Sequence, residues 1–197
     1  RGGGAVRRRL WGAWLAGLTL TAWAACLVAT PLAQGATRER LTLNQGWRYA
    51  DGVQSGAQAP AFDDAGWTAV ALPHTWNAHD GFDKRKPYRR GEGWYRRELS
   101  LPPGLEGKRL FVRFEGANQV ADVFLNGRLL GRHVGGYTAF AFEITPFVRF
   151  DAPNLLAVRV DNSHDPDIPP LEADFTFFGG IYRDAWLIAT DPLHVDV

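Results

Sequence analysis

An aspartate stands at the head of an aromatic run late in the chain, where residues 174–186 read DFTFFGGIYRDAW. A carboxylate beside several rings is costly to desolvate, so Asp174 either stays in water, is paired, or is held for a polar ligand. Polar loop residues beside aromatic side chains often line binding sites. The alternative is structural, with Asp174 accepting hydrogen bonds from nearby backbone N–H groups in an Asx-type turn.

Four side chains able to bind metals also lie close together in the sequence, namely His74, His79, Asp80 and Asp83. Their spacing matches no established zinc motif. A histidine in a segment such as LPHTWN is more often a hydrogen-bonded structural residue. We therefore predict no metal site among these four residues.

After Leu41, apolar and charged residues alternate along the sequence with a period of two. This pattern marks the elements that must position the residues above. This period is typical of β-strands with one buried face, and an Asn-Gly pair between two such arms predicts a tight hairpin. Short strands separated by Gly, Pro and Asn, with no convincing helix, predict an all-β fold, an antiparallel jelly-roll β-sandwich. The predicted strands are 93–101, 109–116, 140–144, 154–160 and 184–189, with the hairpin at 120–134.

Two long irregular connections, 72–93 and 161–180, interrupt this pattern. Long loops in compact domains are often functional, although each of these could simply wrap an end of the sandwich. After the second loop, Arg183 and Asp184 are predicted to form an ion pair that fixes the corner into the last strand.

Residues 1–36 are predicted to be a separate segment, a signal peptide. Three arginines, Arg7 to Arg9, precede the acid-free apolar run 10–28, and Ala33 and Gly35 form a small-x-small pair suited to signal peptidase. We expect cleavage near Gly35 or Ala36 and an exported protein, periplasmic or extracellular, with no membrane association afterwards. An uncleaved anchor helix and a lipoprotein modified at Cys26 are the alternatives.

Removing that segment changes the composition. The 197-residue chain has 22 basic and 21 acidic residues, but four of the arginines lie in 1–36, which leaves 18 against 21 and a net charge of −3. A weakly acidic surface lacks the positive footprint needed for phosphate binding, so nucleic acid is excluded as a partner. Cys26 is the only cysteine, so no disulfide is possible in residues 37–197. A chain that is 46% hydrophobic can instead bury a sizeable core as one domain.

Five motifs follow one another and together cover nearly all of 41–189; they are FDDAGWTAVALPHTWN, GWYRREL, ADVFLNGRLLGRHVGGYTAFAFEIT, NLLAVRVDN and DFTFFGGIYRDAWL. In this order they resemble the N-terminal sugar-binding domain of glycoside hydrolase family 2, the β-galactosidase and β-glucuronidase family. The resemblance implies a jelly-roll sandwich at 37–190, followed by an immunoglobulin-like domain and a catalytic (β/α)8 barrel. The segment 191–197 resembles the lead-in to that second domain.

The resemblance also implies where catalysis occurs. Retaining enzymes of this family use two barrel carboxylates that lie about 5 Å apart. A (β/α)8 barrel needs roughly 250 residues, more than this chain contains, so we expect it to be inactive alone and assign it no catalytic residues. The expected parent enzyme hydrolyses terminal β-O-glycosidic bonds with retention. A free-standing carbohydrate-binding module and a structural buttress domain are the alternatives.

Two residues are substrate-binding candidates by resemblance. Asp174 stands six residues before Gly180, the spacing of the family's sugar-contacting aspartate, which implies hydrogen bonds from sugar hydroxyls or a monovalent or divalent cation nearby. Carboxylates suit that role because they only accept hydrogen bonds and can take two donors. The family's loop asparagine is missing, since residues 91–93 read GEG. Glu92 is therefore either a replacement contact or a solvent-facing acid, and the departure weakens any expectation of galactose specificity.

Overall fold

The computed structural model describes residues 2, 38–82, 87–172 and 174–194, and the predicted signal peptide, apart from Gly2, lies outside them. Within these residues there is one 3-10 turn, at Asp80–Phe82, and no helix is long and apolar enough to span a bilayer. The strands are β1 (Arg38–Thr42), β2 (Trp47–Asp51), β3 (Thr68–Val70), β4 (Glu92–Leu99), β5 (Arg109–Phe114), β6 (Val120–Leu125), β7 (Arg128–Val134), β8 (Phe140–Glu143), β9 (Asn154–Asp161) and β10 (Ala185–Thr190).

Two antiparallel sheets confirm the predicted β-sandwich. One has four strands in the order β1-β10-β5-β8, and the other has six in the order β3-β2-β4-β9-β6-β7. The predicted hairpin is β6–β7, and Asn126 in its turn has a φ of 52°. Strands β4 to β10 match predicted segments, whereas no individual strand was predicted for the regions of β1, β2 and β3.

The core lies between the sheets and follows the alternation seen in the sequence. On β5, Leu110, Val112 and Phe114 are fully buried and point inward together, as a period of two requires. Burying a side chain of this size contributes about 1.5–3 kcal/mol, which is why a disulfide-free sandwich can be stable. The largest fully buried side chains include Trp47, Tyr95, Leu99, Leu125, Leu156, Ile181 and Leu187.

Strand ends bring the two long loops to the same end of the sandwich. Glu92, the first residue of β4, pairs with Asp161, the last of β9, and Asp161 pairs in turn with Val120, the first of β6. Phe114, at the end of β5, likewise pairs with Ala185 and Phe140 at the starts of β10 and β8. The connections at this end, called the loop end below, are 71–91, 115–119, 135–139 and 162–184.

Candidate functional site

Backbone hydrogen bonds join the connections of the loop end to one another. Asn118 and Gly180 form an isolated antiparallel bridge, in which the Asn118 N–H donates to the Gly180 carbonyl at 3.0 Å. The His74 N–H donates to the Ile181 carbonyl at 2.8 Å. The loop that carries Asp174 is therefore tied to its neighbours on two sides.

Buried side-chain amides reinforce these ties between the two long loops. Asn77 is fully buried, and its Oδ1 accepts a hydrogen bond from the Gly179 N–H at 2.8 Å while its Nδ2 donates to the Arg89 carbonyl at 2.8 Å. Asn162 also binds both loops, but with its two amide atoms exchanged. Its Oδ1 accepts from the Gly91 N–H of the first loop at 2.8 Å, and its Nδ2 donates to the Phe177 carbonyl of the second loop at 3.1 Å. Each amide thus satisfies backbone groups of both loops at once.

Two further buried amides hold the Asp174 loop from the neighbouring connection. Asn118 Nδ2 donates to the Phe178 carbonyl at 2.9 Å, and Gln119 Nε2 donates to the Ile168 carbonyl at 2.9 Å. Together the four amides bind backbone groups at residues 168, 177, 178 and 179. The loop is therefore fixed on both sides of Asp174.

The glycine pair after the aromatic run is required by close packing. A Cβ on Gly179 would lie 2.1 Å from the Trp76 ring, and one on Gly180 would lie 2.6 Å from the Tyr95 hydroxyl. Gly180 also has a φ of +108°, which side chains other than glycine rarely adopt. Any other residue at either position would displace the loop.

His74 lies beneath the glycine pair as a structural residue, the role that the sequence favoured. Its Nδ1 is hydrogen-bonded to the Tyr95 hydroxyl at 2.8 Å, and its ring lies 4.8 Å from that of Tyr49. Burial lowers the pKa of His74 and raises the pKa of Tyr95, so both are neutral near pH 7. Among the residues that the structure describes, no group of three or more His, Cys, Asp and Glu side chains could hold a metal.

Asp174 itself is exposed, and its carboxylate makes no hydrogen bond or ion pair with any described residue. The next residue, Phe175, is 54% exposed. The centre of its ring lies 5.3 Å from the ring centre of Phe177 and 6.2 Å from that of Tyr137. Beside them lies a cavity of about 180 Å³ lined by Asn118, Tyr137, Phe175, Thr176, Phe178 and Tyr182. The carboxylate thus stands next to an exposed aromatic surface.

Glu92, the second candidate, has a different environment. Its Oε2 accepts from Arg159 Nε at 2.5 Å, and its Oε1 accepts from Trp94 Nε1 at 2.6 Å on the outer face of the six-stranded sheet. Arg159 also pairs with Asp122 at 3.1 Å. Both oxygens of Glu92 are therefore already engaged within the sheet, and its proposed sugar contact stays a prediction.

The predicted ion pair between Arg183 and Asp184 is wrong. Asp184 accepts a hydrogen bond from Asn44 Nδ2 at 2.9 Å, the Arg183 guanidinium lies over the Tyr182 ring, and no ion pair joins the two in the described chain. Consecutive side chains of an extended segment point to opposite sides, which separates the two charges. The corner is fixed by Asn44, whose Oδ1 also accepts from the Ala185 N–H at 2.9 Å.

The family described as "Glycosyl hydrolases family 2, sugar binding domain" matches residues 41–191, most of the chain and both sheets. The chain belongs to glycoside hydrolase family 2. The sequence resemblance over 41–189 is thereby confirmed, and the loop end is part of this family's sugar-binding domain.

Named relatives in the family differ in their substrates. A β-glucuronidase of Bacteroides fragilis is 44% identical over 158 residues, which are 79% of this chain and 21% of that protein. A β-galactosidase of Bacteroides ovatus is 37% identical over 167 residues, 80% of this chain and 19% of that protein. The chain thus spans about a fifth of the length of these relatives.

Solved structures of family members share the fold. Bacteroides uniformis β-glucuronidase 2 covalently bound to cyclophellitol-6-carboxylate aziridine is 50% identical, with a TM-score of 0.74 over 78% of this chain and 18% of that one. A second solved structure is that of a calcium-binding mutant of Bacteroides uniformis β-glucuronidase 2. It is 48% identical, with a TM-score of 0.75 over 81% of this chain and 19% of that one.

Asp174 and its glycine pair can be identified from the sequence, whereas the four buried amides of this family 2 domain cannot. No motif in the sequence marks Asn77, Asn118, Gln119 or Asn162 as residues that join the loops. Their one local signal is position, because Asn118, Gln119 and Asn162 lie immediately before β6 or after β9, where backbone groups leave the sheet.

Proposed function

We propose that this domain forms one wall of the substrate pocket in a retaining exo-β-glycosidase, which hydrolyses terminal β-O-glycosidic bonds. The observation that carries this proposal is the exposed Asp174 carboxylate, without a partner among the described residues, on a loop that four buried amides fix. A polar group held in water by a rigid support has the geometry of a ligand contact. The relatives named for glucuronides and galactosides support a sugar as that ligand.

In this proposal, one domain binds the terminal sugar and another domain carries the catalytic residues. Asp174 accepts hydrogen bonds from hydroxyls of the terminal sugar, and the exposed rings of Phe175 and Tyr137 offer an apolar surface beside it. The acid/base and the nucleophile belong to a barrel that follows an immunoglobulin-like domain in the same polypeptide. Relatives about five times as long as the matched segment favour this arrangement over a free-standing binding module.

A cation beside Asp174 is a further part of the proposal. One solved relative is a calcium-binding mutant, so calcium binding occurs in a protein of this family. Calcium takes about six to eight oxygen ligands, so Asp174 would need several partners from the rest of the polypeptide. Calcium titration of the full-length enzyme, followed by calorimetry with and without Asp174→Asn, would measure this contribution, and equal binding by both proteins would contradict it.

The test of the proposed function is Asp174→Asn in the full-length enzyme, assayed on 4-nitrophenyl β-glycosides. Loss of a charge-assisted contact should lower kcat/KM by about 10- to 100-fold with the thermal unfolding midpoint unchanged. Asp167→Asn is the matched control, because Asp167 is another exposed carboxylate of the same loop. Unchanged kinetics for Asp174→Asn would leave it a turn residue and remove the support for this function.

We also propose that the enzyme is exported, with residues 1–36 as the signal. The support is the sequence pattern of three arginines, an apolar run and a small-x-small pair. N-terminal sequencing of the exported enzyme should give Ala36 or Thr37 as the first residue. Any other start would contradict this cleavage site.

A further inference from the structure

Arg90, in the first long loop, is held in one orientation by residues from both long loops. The Tyr88 hydroxyl oxygen accepts hydrogen bonds from Arg90 Nε at 3.2 Å and from Nη2 at 2.5 Å. The guanidinium carbon lies 4.9 Å from the centre of the Phe177 ring, and the Phe177 N–H donates to the same hydroxyl at 3.3 Å. Because cation–π contact and hydrogen bonds act together, the guanidinium plane is fixed before any ligand arrives.

Arg90 has no carboxylate partner, unlike other arginines at this end. Arg89 pairs with Asp51, and Arg159 pairs with Glu92, whereas Arg90 forms no ion pair within the described part of the chain. A guanidinium has five N–H donors, and Tyr88 takes two of them. Three donors therefore face away from Tyr88 without a described partner, although Arg90 is half-buried.

Phe177 links Arg90 to the segment that carries Asp174. Arg90 lines an open cavity of about 400 Å³ together with His164, Leu171 and Glu172. Phe177, beneath the guanidinium, contacts Phe175, the residue next to Asp174. The Tyr137 ring contacts Phe175 as well, and the charge of Arg90 opposes the rise that burial causes in the pKa of Tyr137.

We propose that Arg90 binds the carboxylate of an acidic terminal sugar, a hexuronate, and thereby selects uronides over neutral glycosides; this rests on the proposed function. Asp174 and Glu172 repel an anion, so a site made of these alone would reject an acidic sugar. Arg90 offsets them with a preoriented planar fork, which matches a carboxylate in a bidentate fashion. The relatives are named for two kinds of sugar, glucuronides and galactosides. These sugars differ in the charge at carbon 6, and this is the group that Arg90 would distinguish.

The test compares two matched substrate pairs on the full-length enzyme. The pairs are 4-nitrophenyl β-glucuronide with β-glucoside and 4-nitrophenyl β-galacturonide with β-galactoside, which differ only in the carboxylate. Arg90→Gln should lower kcat/KM about 10- to 100-fold on the better uronide and less than about 3-fold on its neutral partner. Arg90→Lys should recover part of the loss, because it keeps the charge without the fork.

Two further variants separate this role from a structural one. Tyr88→Phe removes the hydroxyl that orients Arg90 and should shift selectivity in the same direction by a smaller factor. Arg128→Gln is the matched control, since Arg128 also lies over a ring, that of Phe147, but at the opposite end of β6 and β7. It should leave both activities unchanged.

Several outcomes would overturn the assignment of Arg90. Equal losses on the acidic and neutral substrates, no loss on the uronide, or a wild-type enzyme that accepts only neutral sugars would each do so. The proposed function would survive all three results, because it requires only a terminal β-glycoside and the effect of Asp174→Asn. Hydrolysis of none of the four substrates would overturn both.

Discussion

Arg96 on β4 is the most constrained charged side chain of the described chain, with 2% of its surface exposed. Its guanidinium donates to the carbonyls of Ala57, Ala59 and Phe62, and its Nε donates to Asp64 at 2.8 Å. These contacts hold the segment 52–66 against the outer face of the six-stranded sheet. The planar guanidinium, with its five donors, thus binds backbone carbonyls that no strand or helix partner satisfies in this connection.

We predict that Arg96→Lys lowers the free energy of unfolding by about 2–4 kcal/mol, because lysine keeps the charge but leaves buried carbonyls without donors. Urea denaturation measures this, and limited proteolysis should show earlier cleavage within 52–66. Arg128→Lys is the control, since an exposed arginine should change stability by less than about 0.5 kcal/mol. A loss of that small size for Arg96→Lys would show that the segment is held by its apolar contacts instead.

Across strands, charged side chains on the outer face of the larger sheet link β6, β7 and β9. Asp122 on β6 accepts hydrogen bonds from Arg132 on β7 at 2.6 Å and from Arg159 on β9 at 3.1 Å. Burial alone would raise the pKa of Asp122, but the two arginines outweigh it and lower the pKa below the ordinary value. A depressed folded-state pKa means that the ionised carboxylate stabilises the fold.

We predict a pH-dependent cost for Asp122→Asn. The stabilisation is fully present above the unfolded pKa of about 3.9 and is lost as the pH falls through the lower folded pKa. The variant should therefore be less stable by about 1–3 kcal/mol at pH 7, and the difference should shrink below pH 4. Urea unfolding at pH 7, 5 and 3 measures it, and a difference independent of pH would contradict the role of the charge.

The elements that sequence alone revealed are those with their own internal pattern. β4 to β7, β9 and β10 are each six to eight residues long, which is long enough for a strand pattern to appear in the local sequence. β3 has three residues, and all five residues of β1 are exposed, so neither carries a buried stripe and both depend on their partners. The same limit applies to the site, where Asn77 binds Gly179 across 102 residues of chain and no local pattern reports the contact.

At the scale of the whole molecule, the sandwich contains its own core but only one side of the proposed pocket. Both sheets, with the large buried side chains between them that the structure describes, are formed by residues 38–194. Asp174, the aromatic surface and Arg90 all face outward from one end. Stability and activity should therefore be separable in this protein.

We predict that residues 37–194 expressed alone unfold cooperatively but release no 4-nitrophenol from any of the four glycosides above. Exposed binding groups without an acid/base and a nucleophile about 5 Å apart have no means to break the glycosidic bond. Circular dichroism during heating checks the fold, and an assay at equal molar amounts of domain and full-length enzyme checks the activity. Hydrolysis by the domain that survives removal of contaminating enzyme and disappears with Asp174→Asn would place catalysis in the sandwich itself.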